Sequence, residues 1–192
     1  MVTEDRRIIR TRKKLKDAVL TLVKEKDFKA ISITEIAKVA GCNRVTFYSH
    51  YEDSTQLLAD IFKDYLDELA QYYRDSYKGK ETFTLSDPTL SIPIFTFVYN
   101  NQFVFSLMLI GEVIPGSQNT FCETLGSIGR KDLTLQQEIW FDKEAINFYE
   151  TYAFLGLFIY WIKQGFKSTP EEMGKRLAFL HTTFLGEVKV NK

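Results

Sequence analysis

Cysteine and histidine are both scarce in this 192-residue chain, with two of each. Cys42 and Cys122 are far apart and have no paired spacing, which excludes a cysteine-based zinc ribbon and suits a reducing compartment. His50 and His181 are equally distant, so a histidine-built metal site has little support. H-E-x-x-H, P-loop Gly-Lys and nucleophile-elbow patterns are all missing. The chain is therefore not expected to be an enzyme, and no catalytic residue, metal or cofactor is expected. Long apolar runs are lacking too. The two most apolar stretches, 103–110 and 153–162, fall far short of the ~20 residues that span a bilayer. The first residues are charged and lack the apolar core of a signal peptide. A cytoplasmic protein with no membrane partner is the expectation. Net charge is zero, but unevenly spread: residues 1–50 carry 12 Lys or Arg against 6 Asp or Glu, and the remainder 13 against 19. A basic front on an acidic body suits a reader of phosphate-rich duplexes, although an asymmetry of this size is by itself equally compatible with ordinary surface solvation.

What is present is concentrated between residues 32 and 58. Ser32-Ile33-Thr34-Glu35 has the S-x-x-E form of a capping box, and Ile33, Ile36 and Ala37 follow at helical spacing. Gly41 interrupts the pattern where a turn is needed. Asn43 is a suitable N-cap for a second helix, with Phe47 and Tyr51 four residues apart on one face. Asp53 and Gln56 repeat the cap and open a third helix. Two short helices about a glycine turn make a helix-turn-helix, whose second helix enters the major groove. Asn43, Arg44, Val45, Thr46, Tyr48 and Ser49 would be exposed on it, offering a guanidinium for guanine edges and hydroxyls and an amide for phosphates or bases. By spacing alone, a three-helix core with no DNA role is an equal reading.

The residues Ile33-Thr34-Glu35-Ile36-Ala37, Ala40-Gly41 and Arg44-Val45-Thr46-Phe47-Tyr48-Ser49-His50-Tyr51, followed by Leu57-Leu58, resemble the signature of the TetR family of bacterial transcriptional regulators. The resemblance covers about a quarter of the chain. It implies an all-α homodimer with an N-terminal DNA-binding domain and a larger C-terminal domain that dimerises and often binds a small effector. Members often have Ser where this chain has Asn43, and many have Lys where it has Ser54, so a charged phosphate contact is missing there. The DNA-binding residues implied are Thr34, Asn43, Arg44, Val45, Thr46, Tyr48, Ser49, His50 and Ser54.

The rest of the chain reads as helices. Arg6, Arg7, Arg10, Arg12, Lys13, Lys14 and Lys16 crowd the front of a first helix over about 8–26, whose apolar face is Leu15, Ala18, Val19, Leu22 and Val23. These cations are expected to add salt-dependent affinity for the DNA backbone, or simply to be solvated. A long helix follows from 53 to about 77. Residues 78–91 read as a loop, and either Pro88 or Pro93 opens the next helix. Short helices are expected at 103–111 and 117–128, with a loop around Gly126, Gly129 and the Arg130-Lys131 pair. Two long helices close the chain. One starts at about 135 or 142 and runs to 164, with Gly165 as its stop. The other starts at the Thr169-Pro170-Glu171-Glu172 cap and runs to about 188.

About nine helices are expected, in two domains: a three-helix helix-turn-helix domain at 1–52 and a helical dimerisation and effector domain at 53–192. The closing helices are apolar on more than one face, which favours burial against a second copy over a single intramolecular core. Sixteen Phe, ten Tyr and two Trp supply an aromatic set. Within it Phe62, Tyr65, Phe95, Tyr99, Phe103, Met108, Trp140, Phe148 and Tyr152 could line an effector pocket, though each taken singly reads first as core. No basic cluster accompanies them, so the expected effector is apolar or aromatic. His181 reads as a core or interface residue. The expected function is a homodimeric repressor on a palindromic double-stranded DNA operator, released by that effector. A dimer of this fold acting through protein partners without an effector is the alternative.

Overall fold

The computed structural model describes residues 6–135, 142–184 and 187–190. The chain divides into two compact units, residues 1–64 with 113–115, and residues 65–112 with 116–192. Among the described residues there are nine α-helices and three short strands.

In the first unit, α1 (Arg6–Leu22) buries Leu15, Ala18, Val19 and Leu22 at helical spacing. Val23 is buried just beyond it. A 3-10 turn at Phe28–Ala30, capped by Asp27, leads into α2 (Ile33–Val39). After Gly41 comes α3 (Arg44–Tyr48), and Ser54 begins α4 (Ser54–Tyr77), within which the two units divide. Phe47 and Tyr51 are both buried, their ring centroids 6.1 Å apart, although α3 ends at Tyr48, before Tyr51. Leu57, Leu58, Ile61 and Phe62 on the first turns of α4 are all 2% exposed or less.

The second unit continues through α5 (Ile92–Asn100), α6 (Gln102–Ile110), α7 (Ser117–Asp132), α8 (Lys143–Lys163) and α9 (Pro170–Phe184). Both prolines left open by sequence are used. Pro88 begins a 3-10 turn capped by Asp87, and Pro93 sits in the first turn of α5. Asp142 caps α8 through its side chain. Thr169 and Glu172 cap α9 reciprocally, the Thr169 N–H donating to Glu172 at 3.0 Å and the Glu172 N–H to the Thr169 hydroxyl at 3.2 Å.

Several elements depart from the sequence reading. The helix expected to stop near Ile128 runs on to Asp132. Gly126 and Gly129 do not break it, because they let it approach α8. A Cβ on Gly129 would stand 2.2 Å from the Asn147 Oδ1, and one on Gly126 3.2 Å from the Thr151 hydroxyl. The final helix ends at Phe184, and Glu187–Val190 is a strand, β3. It lies between β1 (Thr82–Thr84), inside the expected loop, and β2 (Leu133–Leu135). Both pairings are antiparallel, with Phe83 and Leu135 each opposite Val188. Three- or four-residue strands pair across long sequence separations and carry no periodicity readable from sequence. No single described helix is long and apolar enough to cross a membrane.

Aromatic rings fill the core of the second unit. Phe95 packs against Phe158 and Trp161 at 5.0 and 5.5 Å, and Phe121 meets Phe158 edge-on at 5.7 Å, within the range where aromatic pairs add to simple burial.

Candidate nucleic-acid interface and a cavity in the second unit

The first unit is built from local caps. The Ser32 hydroxyl accepts the Glu35 N–H at 3.3 Å, and Glu35 accepts the Ser32 N–H at 2.9 Å, closing the capping box. Lys26 also donates to Glu35. That bond first, and then those from Ser32, hold the Glu35 carboxyl down at about 2. The turn places Gly41 at φ 68°, where a side chain would be strained. Asn43 Oδ1 accepts the Thr46 N–H at 2.8 Å and its hydroxyl at 3.1 Å, fixing the start of α3. Gln56 donates its N–H to Asp53 at 2.7 Å and accepts the Glu52 N–H at 2.6 Å.

With Phe47 buried beneath it, α3 turns its other side to solvent. Val45 is 77% and Tyr48 49% exposed. The Arg44 guanidinium lies 5.9 Å from the Tyr48 ring centroid, an arrangement that limits the freedom of its long side chain. Of the DNA-binding residues read from sequence, Thr34, Asn43, Arg44, Val45, Tyr48 and Ser49 are exposed, and Thr46, His50 and Ser54 are half-buried. All nine belong to the first unit.

The basic front of α1 divides in two. Arg6, Arg7, Arg10, Lys13 and Lys14 are exposed. Lys16 is held by Asp60 at 2.9 Å and Asp64 at 2.6 Å, and the Arg12 guanidinium lies 5.6 Å from the Tyr51 ring centroid. Tyr51 donates to the same Asp60 at 2.6 Å. Burial alone would raise the Asp60 pKa, but bonds from Tyr51 and Lys16 outweigh it and bring it below the usual range. Burial, and then Asp60, push the Tyr51 phenol up. Arg12 and Lys16 are thus engaged in joining α1 to Tyr51 and the start of α4, which sequence could not reveal because Tyr51, Asp60 and Asp64 are remote from them in the chain.

The second unit contains a cavity of about 480 Å³, in the range of small-molecule sites. Leu85, Leu90, Ile94, Leu125, Phe154 and Leu177 make much of its apolar wall, and Tyr73, Arg130, Lys143, Asn147, Glu150 and His181 bring polar groups to it. Among the described residues, none of those expected from sequence to form the pocket lines it. Phe62 is buried in the first unit, Phe95 and Met108 are buried in the second, and Tyr65 is half-buried against Phe97 and Phe105. Tyr99, Phe103, Phe148 and Tyr152 are exposed, and Trp140 lies outside the described residues. The buried rings among them pack on one another and fill space, and the exposed ones lie at the surface. The cavity is lined chiefly by aliphatic and polar residues, with Phe154 and Tyr73 its aromatic members. One sequence signal marks it: Glu150 is the single charge between Glu144 and Lys163 on α8.

A family model described as a transcriptional regulator C-terminal region (TetR_C_8) matches residues 90–182. An uncharacterized HTH-type transcriptional regulator, YxbF, of Bacillus subtilis is 25% identical over 167 residues. That alignment covers 85% of this chain, which spans 42% of the relative's length. The fold is shared with solved structures. A TetR transcriptional regulator from Streptococcus agalactiae matches with TM-score 0.63 and 21% identity, over 92% of this chain and 96% of that one. The FadR regulator of Bacillus subtilis, solved with stearoyl-CoA, matches with TM-score 0.63 and 13% identity, over 87% and 95%. With a capped helix-turn-helix at one end of the chain and a matched regulator region at the other, the chain is similar to the TetR family of transcriptional regulators.

Proposed function

We propose that the chain is a homodimeric, cytoplasmic repressor, which reads a palindromic operator through residues 1–52 and is released from it when a small apolar molecule enters the domain spanning 53–192. The observation that carries the reading is α3. Its Phe47 is sealed inward, its N-cap is closed, and Arg44 is braced over Tyr48 on the exposed side. Arg44 is the base-reading residue, pairing with guanine. Thr46, Tyr48 and His50 serve phosphates or the DNA backbone.

The dimer is supported by α8 and α9. Phe148, Tyr149, Tyr152 and Tyr160 on one, and Phe179 and Leu180 on the other, are exposed, and a Cβ on Gly156 would meet nothing. A second copy is the occupant, because two heads related by a two-fold match the two halves of a palindrome. An effector can lower operator affinity only by binding the two conformations unequally.

Titrating the wild type and Arg44→Ala onto the operator and onto random duplex tests the reading. The wild type should bind as two chains per operator. Arg44→Ala should lose about 1–3 kcal/mol on the operator and much less on random duplex. Equal losses on both would make Arg44 a phosphate contact and remove the basis for sequence reading by α3.

A further inference from the structure

One end of the second-unit cavity carries more polar chemistry than packing requires, and its meaning rests on the effector reading above. His181 Nδ1 lies 3.1 Å from the carbonyl oxygen of Leu85, and Nε2 lies 2.9 Å from Oε2 of Glu150. A carbonyl only accepts, so Nδ1 carries a hydrogen, and the approach of Nε2 to a carboxyl oxygen needs another between them. The His181–Glu150 pair therefore shares one proton and is neutral as a unit, whichever partner holds it. Glu150 keeps Oε1, which accepts no hydrogen bond among the described residues.

Tyr73 supplies the complement. Its ring stands edge-on to Tyr77 at 5.7 Å, and its hydroxyl makes no hydrogen bond to a described residue. Burial first, and then the Glu150 and Asp132 carboxylates, push the phenol up to about 12, so at neutral pH it remains an O–H donor. Of the cations on the cavity wall, Arg130 donates to Glu123 at 3.1 Å, whereas Lys143 pairs with no acidic side chain among the described residues.

We propose that the cavity takes a lipophilic alcohol or phenol, its hydroxyl accepting from Tyr73 and donating to Glu150 Oε1, its apolar body against Leu85, Leu90, Ile94, Leu125, Phe154 and Leu177. A hydroxyl offers one donor and two lone pairs, matching one donor and one acceptor. A carboxylate head between Tyr73 and Glu150 would have no hydrogen to give Glu150 Oε1 and would bring two acceptor groups together. An ammonium head would leave Tyr73 without an acceptor and compete with His181 for Glu150.

The test uses three probes with one chain length, decanol, decanoate and decylammonium, each below its aggregation limit, titrated calorimetrically into the full chain at neutral pH. Decanol should bind at least about tenfold tighter than either ion, and Tyr73→Phe, which removes a single oxygen, should weaken it about tenfold. Glu150→Gln should weaken it as well, with its thermal midpoint recorded because the His181 bridge changes with it. Decanoate binding as tightly as decanol, Tyr73→Phe leaving decanol unaffected, or no probe binding at all would each overturn the assignment. Operator binding is measured separately without probe. Duplex binding with no decanol binding fails this inference alone, whereas decanol binding with no duplex binding fails the function and leaves the cavity chemistry standing.

Discussion

The two units solve the same problem, placing polar groups where they are needed, by different means. In the first, the polar residues that shape α2 and α3 bond to partners three positions away: Ser32 with Glu35, and Asn43 with Thr46. In the second, the groups at the cavity come from distant parts of the chain: Tyr73 from α4, Glu150 from α8, His181 from α9. A reading head must present fixed groups to a regular lattice of phosphates and bases, and short-range caps give that rigidity with few residues. A chamber for a small molecule has to be enclosed from several sides, so its chemistry is assembled by tertiary packing. The first design depends on a small core under a stiff surface, the second on close approaches between helices.

The sharpest way to break this contrast is to remove the core under the head. Phe47 is fully buried, 5.6 Å from Tyr48 and 6.1 Å from Tyr51 between ring centroids. Phe47→Ala should cost about 3–5 kcal/mol and abolish operator binding at temperatures where the second unit keeps its fold. Thermal unfolding followed by near-ultraviolet signals, with probe binding to the cavity as a second readout, would show it. If both units lost structure together, the division into separately built regions would be wrong.

A smaller effect is expected from filling a close approach in the second unit. A Cβ on Gly174 of α9 would lie 2.6 Å from Ile92 Cγ1 and 3.3 Å from the Pro88 carbonyl. Helix propensity favours alanine over glycine by about 1 kcal/mol, so a free helix would gain from Gly174→Ala. Here overpacking should win, with a net loss of about 1–3 kcal/mol in chemical denaturation. A stabilised variant would mean that Ile92 and the proline turn yield easily.

These two sites also show what the sequence could disclose. The helix-turn-helix was legible because its determinants are local: a capping box, a glycine at the turn, an N-cap asparagine, each visible within four residues. The helices at 54–77, 143–163 and 170–184 were legible from their apolar spacing and caps. Gly126 and Gly129 read as loop residues because their reason, the side chains of Asn147 and Thr151 on α8, is not nearby in the chain. The engagement of Arg12 and Lys16 was hidden for the same reason. The aromatic residues were conspicuous as a group, but composition does not say which rings fill space and which border it. His181 read as a core or interface residue, and only folding brings it to Glu150.

Within the head, the contrast can be sharpened at the cap. Ser32→Ala removes the acceptor for the Glu35 N–H and should cost about 1 kcal/mol, seen as a lower unfolding midpoint with operator specificity unchanged. A loss near zero would mean that Lys26, which also reaches Glu35, suffices to hold the start of α2.

The smallest expected effect concerns acid. The Glu35 carboxyl, held down at about 2 by the bond from Lys26 and then by those from Ser32, titrates at about 4.3 in an unfolded chain. A carboxyl with a depressed folded value adds stability that is fully present above the unfolded value and is lost as pH falls toward the folded one. Glu35 should thus contribute at neutral pH, and its contribution should decline between about pH 4.3 and 2. Because the group is solvent-exposed, screening keeps the effect modest. Comparing wild type with Glu35→Gln isolates it: the two unfolding midpoints should differ at pH 7 and converge near pH 2. Glu35 belongs to the first unit and the cavity groups to the second, so calorimetric decanol binding by Glu35→Gln should match wild type at pH 7. A variant that kept its full deficit at pH 2 would show that amide geometry, rather than charge, carries the cap.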